Sequence, residues 1–60
     1  MLQPGYVTAW NNLGDAYEKL RQYKEALGAY QEALSYSPGN KVAQARSEYC
    51  RTRLERIGAA

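Results

Sequence analysis

Trp10-x-x-Leu13-Gly14-x-x-Tyr17, followed by Ala26-x-x-x-Tyr30, Ala33 and Pro38, is the stretch of sequence that decides the fold. Trp10, Leu13, Gly14, Tyr17 and Leu20 recur at the i, i+3, i+4, i+7 spacing of one helical face. They predict a first helix, α1, over residues 7–20. Tyr23, Ala26, Leu27, Tyr30, Ala33 and Leu34 repeat the same spacing. They predict a second helix, α2, over residues 23–36. The two or three residues left between them force an antiparallel pair. Gly14 and Ala26 leave room for a close neighbouring backbone, and Trp10, Tyr17 and Tyr30 supply the volume that fills the contact.

Working outward, Pro4-Gly5 and Pro38-Gly39 hold the only two prolines of the chain and lie 34 residues apart. Proline stops a helix and glycine turns the chain, so both pairs read as punctuation. After the second pair, Asn40 is a good N-cap for a third helix, α3, over residues 41–57, which Gly58 would stop. Its apolar residues are Val42, Ala43, Ala45, Tyr49, Cys50, Leu54 and Ile57. Gln44, Ser47, Glu48, Arg51 and Glu55 fill the other side. The expected class is therefore all-α: an antiparallel helix hairpin followed by a third helix.

Residues 7–40 resemble a tetratricopeptide repeat, the helix-turn-helix unit that stacks into α-solenoids, with Tyr30 where the family usually has Phe. Arg21 stands in the interhelix turn where the family usually has Gly. Gly28 lies inside α2, at a cost of about 1 kcal/mol relative to Ala. At the positions where a second repeat would carry Trp, Leu, Gly and Tyr, α3 has Gln44, Ser47, Glu48 and Arg51. All four are polar, while Ala43, Cys50, Leu54 and Ile57 keep an apolar face toward α2. So α3 has the one-sided pattern of the capping helix that ends such an array. On the other side, residues 1–6 read as the remnant of a preceding repeat or linker, and 58–60 as a tail. One repeat cannot bury its own faces. The chain is expected either to end a longer array or to complete itself with another copy.

Bulk properties exclude several functions. Sixty residues hold one domain at most, and a chain so short buries only about 60% of its unfolded surface. Cys50 is the single cysteine, so no disulfide assists. A lone thiol on an apolar face fits an inert residue in a reducing intracellular compartment such as the cytoplasm. With no histidine, the chain lacks an ordinary general base near neutral pH. No metal-ligand spacing and no phosphate loop appears, so catalysis and cofactors are not expected. No apolar run reaches the roughly 20 residues that span a bilayer, and no signal peptide is recognised. Net charge is +2. Residues 41–60 hold five bases against two acids. That reads as a solvated helix face rather than a nucleic-acid surface.

The resemblance implies a protein–protein interaction module, a scaffold or adaptor. In the family the first helix of each pair lines a concave groove for an extended peptide or partner helix. The matching positions are Thr8, Asn11, Asn12, Asp15, Glu18 and Lys19, joined by Val42, Ala45 and Tyr49 of α3. Asn amides both donate and accept, which suits a peptide backbone. Asp15 and Glu18 replace the bases of a carboxylate clamp, so a basic or neutral partner is expected. Arg46 and Arg53 have three readings: covering apolar surface, pairing with Asp15 or Glu18, or holding a partner's acids. The alternative function is self-association through the uncapped N-terminal face, expected at Tyr6, Ala9, Ala16 and Tyr23. Six tyrosines suit an interface. The expected partners are thus another protein or peptide and a second copy, with no nucleic acid and no membrane insertion. Residues 6–19 also resemble repeat stretches of chloroplast proteins that assist photosystem assembly, which implies an organellar scaffold.

Overall fold

A computed structural model describes residues 4–59. It consists of α1 (Pro4–Lys19), α2 (Tyr23–Tyr36) and α3 (Lys41–Ala59), with no strand among the described residues. The all-α hairpin with a third helix is as expected. Both α1 and α3 pack on α2 and barely touch one another. The side of these two helices away from α2 is where the groove implied by the resemblance would lie.

The helix ends differ from expectation. Pro4, Gly5 and Tyr6 form the first turn of α1 instead of preceding it. Proline is accepted there because its missing N–H would have no intrahelical partner in the first turn. The rest of the expected remnant, residues 1–3, lies outside the described residues. Gly58 does not stop α3, which runs to Ala59.

The turn between α1 and α2 is a Schellman motif. The Arg21 N–H donates to the Glu18 carbonyl and the Gln22 N–H to the Tyr17 carbonyl, both at 2.9 Å. Arg21 sits at φ 59°, the left-handed conformation that favours glycine. Gln22 gives α2 no side-chain cap. Asn40 does cap α3: its Oδ1 accepts the Ala43 N–H at 2.9 Å.

The core is built on α2. Tyr23, Ala26, Ala29, Tyr30 and Ala33 are buried. Ala43 and Cys50 of α3 complete the cluster. Val7, Trp10, Tyr17, Leu27, Leu34 and Leu54 pack around it, partly exposed. Small residues at Ala26, Ala29 and Ala33 let both flanking helices approach. Gly14 makes room for a ring rather than a backbone: a Cβ there would lie 2.7 Å from the Tyr30 ring. Ser47, expected on the wet side of α3, is buried. The spacing Ala43, Ser47, Cys50, Leu54 is the true inner stripe. Its hydroxyl is tolerated because it donates to the Gln44 carbonyl at 2.9 Å. The Ile57 side chain lies outside those described.

Three glycine variants are expected to part in sign, read from urea unfolding followed by circular dichroism. Gly14→Ala costs about 1–3 kcal/mol, because the fully buried Tyr30 cannot yield. Gly28→Ala, with nothing within 4 Å of the new methyl, gains about 0.5–1 kcal/mol. Arg21→Gly gains up to about 1 kcal/mol by relieving the left-handed strain, less the entropy of the freer unfolded chain.

Candidate functional site

Two side-chain bridges join α1 to α3. Near the start of α3, the Asn11 Nδ2 donates to Asn40 Oδ1 at 3.3 Å, so one α1 amide touches the cap of α3. One α1 turn or two further on, the Arg46 guanidinium grips Glu18. Its Nε donates to Oε1 at 3.0 Å and its Nη2 pairs with Oε2. The Cys50 thiol donates to the same Oε1 at 3.6 Å. The Glu18 side chain is only 6% exposed. A carboxylate so buried is held by its bidentate cation and would be strongly destabilising without it.

Two neutral acids lie against this pair. Burial, before any other influence, pushes the Tyr30 hydroxyl up to about 12, with Arg46 pulling down and Glu18 pushing up. Burial, reinforced by the Glu18 carboxylate, pushes the Cys50 thiol up to about 11. Cys50 is thus an inert packing residue with no thiolate chemistry near neutral pH.

The expected groove residues divide. Asp15 lies on the α1 wall, paired with Lys19 at 3.2 Å along the helix. Thr8 and Asn12 are exposed on the same helix. Tyr49 and Val42 are exposed on the facing flank of α3. Glu18, expected as a partner contact, is occupied by Arg46 and buried. Ala45 is not in the groove; it lines a cleft on the opposite flank of α3 with Leu34, Lys41, Gln44 and Glu48. Of the three readings for the arginines, Arg46 takes the ion pair.

Arg53 was not placed by spacing alone. Its guanidinium lies 5.7 Å from the centroids of both Tyr23 and Tyr49. Those rings meet edge-on, 6.2 Å apart. Arg46 also reaches Tyr49, at 5.4 Å. Tyr23 is buried in this cluster, so it does not belong to the N-terminal face where it was expected. The repeat Arg46, Tyr49, Arg53 at i, i+3, i+7 was the available signal, but only the tertiary approach of the α2 start adds Tyr23.

The other side of α1 carries an apolar stripe of Tyr6, Ala9, Leu13 and Ala16, continued by Leu20 in the turn that follows, all exposed. Tyr6 packs against Tyr36 of α2, ring centroids 5.5 Å apart. With Ala9, Trp10 and Leu13 they form a shallow apolar hollow. Leu13 and Leu20 share the spacing of Trp10, Gly14 and Tyr17, yet both are exposed. Among the described residues there is no cluster of three metal-ligating side chains, and no helix is long and apolar enough to cross a membrane.

Stability is expected to fall as pH rises above about 9. Both raised acids are protonated in the fold, while the unfolded chain releases those protons near 9.0 for Cys50 and 10.0 for Tyr30. Their contribution is lost as pH rises through about 11 and about 12. Urea midpoints across the alkaline range test this, and Cys50→Ala should remove the earlier part of the fall.

The tetratricopeptide repeat model matches residues 7–40. The chain is 56% identical to the tetratricopeptide repeat domain-containing protein PYG7, chloroplastic, of Arabidopsis thaliana, over 90% of this chain and 18% of that protein. It is 32% identical to the serine/threonine-protein phosphatase T of Trypanosoma brucei brucei, over 93% of this chain and 12% of that protein. It is 35% identical to the uncharacterized protein ycf37 of Pyropia yezoensis, over 80% of this chain and 27% of that protein. The chain thus spans less than a third of each of these relatives. No solved structure matches it. Helix hairpin, motif spacing and these likenesses agree: the chain belongs to the tetratricopeptide repeat family.

Proposed function

We propose that this repeat is a non-catalytic protein-binding module whose groove between α1 and α3 takes an extended segment of another protein. Members of the family typically mediate protein–protein interaction. One observation carries the assignment of the groove. Asn11 Oδ1 is buried and has no hydrogen-bond partner among the described residues. An unsatisfied buried acceptor costs about 1–3 kcal/mol. Stability alone gives no reason to keep it. A peptide N–H laid along this wall is the donor that would satisfy it. The likeness to a chloroplastic repeat protein supports an organellar scaffold in preference to the cytoplasm.

Asn11→Leu is expected to leave stability within about 1 kcal/mol of wild type, since it removes an unsatisfied acceptor along with one long hydrogen bond. It is expected to abolish binding on an array of short extended peptides that the wild-type chain labels. Equal labelling by both proteins would falsify the groove reading.

A second reading rests on the apolar stripe of α1, Tyr6 to Leu20, together with Tyr36. Leu20 is 67% exposed and Tyr6 51%, an unusual load of exposed apolar surface for one short helix. A second copy packed on this stripe would cover it. Sedimentation should then give a dimer for the isolated chain and a monomer for Leu13→Glu. A monomer at every concentration for the wild type rules this reading out.

A further inference from the structure

The charges around the groove are not balanced as the sequence suggested. Asp15 and Glu18 were expected to favour a basic or neutral partner. Each already has its own cation: Lys19 answers Asp15, and Arg46 answers Glu18. The charge left over on the groove side is positive. Arg53 has no acidic partner among the described residues. Its guanidinium lies over the rings of Tyr23 and Tyr49. A guanidinium held against aromatic faces keeps its full charge and loses rotational freedom before any ligand arrives. Its fork of N–H donors matches the two oxygens of a carboxylate. Beside it, Tyr49 is 43% exposed and offers a ring for an apolar neighbour.

Resting on the groove reading above, we propose that the segment it takes is acidic, with one internal Asp or Glu carboxylate seated on Arg53 and the next residue against Tyr49. The carboxylate comes from a side chain and not from a chain terminus. A terminal carboxylate on Arg53 would end the segment there, and the α1 wall adds no unpaired cation, offering Asp15 and the spoken-for Glu18. A single pre-placed guanidinium on one wall suits a side chain that reaches across while its backbone runs on past Asn11.

Fluorescence anisotropy tests this with short labelled peptides alternating glutamate and alanine, blocked at both ends. The comparison peptides replace every glutamate by glutamine or by lysine, and one glutamine peptide keeps a free C-terminal carboxylate. The glutamate peptide should bind at least about tenfold tighter than either blocked analogue, the worth of one charge-assisted hydrogen bond. Arg53→Gln should weaken it by about the same factor. Arg53→Lys, which keeps charge without the fork, should recover part of the loss. Arg53 is exposed, so these variants keep the core, and Arg51→Gln, which removes the same charge on the opposite flank of α3, should bind as wild type does. If the glutamine peptide binds as tightly as the glutamate one, or Arg53→Gln changes nothing, the acidic preference is wrong and the groove reading survives. If the free-terminus peptide wins, the side-chain source is wrong. If no peptide binds, both the preference and the groove reading fall.

Discussion

Everything in this small structure turns on Tyr30. Its ring lies under Gly14, where even a methyl group would come within 2.7 Å, so it sets how closely α1 approaches α2. Its hydroxyl lies by the Glu18–Arg46 pair, so the same side chain reaches the contact between α1 and α3. It is 1% exposed, and its burial leaves no room to adjust. Close packing makes such a site unforgiving, because a rigid ring in a full core transmits strain instead of absorbing it. One residue of α2 thereby fixes the placement of both flanking helices.

The second consequence is electrostatic. α1 and α3 hardly touch, so no apolar core joins them directly. They are tied by Asn11 to Asn40 at one point and by Glu18 to Arg46 at another. Burying a carboxylate is costly, and a buried pair stabilises little compared with an apolar contact of the same shape. What such a pair supplies is geometry. It fixes the spacing of α1 and α3 at this point and leaves the Glu18 charge answered within the fold.

The two flanks of α1 have opposite characters. One carries Asn11, Asp15 and Lys19 and faces the groove; the other carries Tyr6, Leu13 and Leu20 and faces outward. The division follows from where Gly14 points. Once Gly14 is buried against Tyr30, residues about 100° to either side fall on opposite flanks. A helix with a polar and an apolar flank on either side of its buried stripe can serve two neighbours at once. This is how stacked repeats join along a solenoid while keeping a binding face open.

Helix number, the antiparallel pairing and the Asn40 cap were all legible in the sequence. Each rests on local chemistry: periodic spacing, a short link, and a side chain reaching a backbone N–H three residues on. The inner stripe of α3 was half legible, since Ser47 reads as polar until its own helix is seen to take up the hydroxyl. The site was less legible. Which flank Ala45 takes, whether Glu18 is free, and what Tyr23 touches depend on the angle at which α3 settles on α2. Local periodicity tells a residue's direction about its own helix axis. It does not tell which neighbour stands in that direction, because that is set by packing volumes such as the Tyr30 ring against Gly14, contributed by residues far apart in the chain. The sequence by itself therefore determined the repeat and its family, and only the tertiary structure decided which charges of the groove remain unanswered.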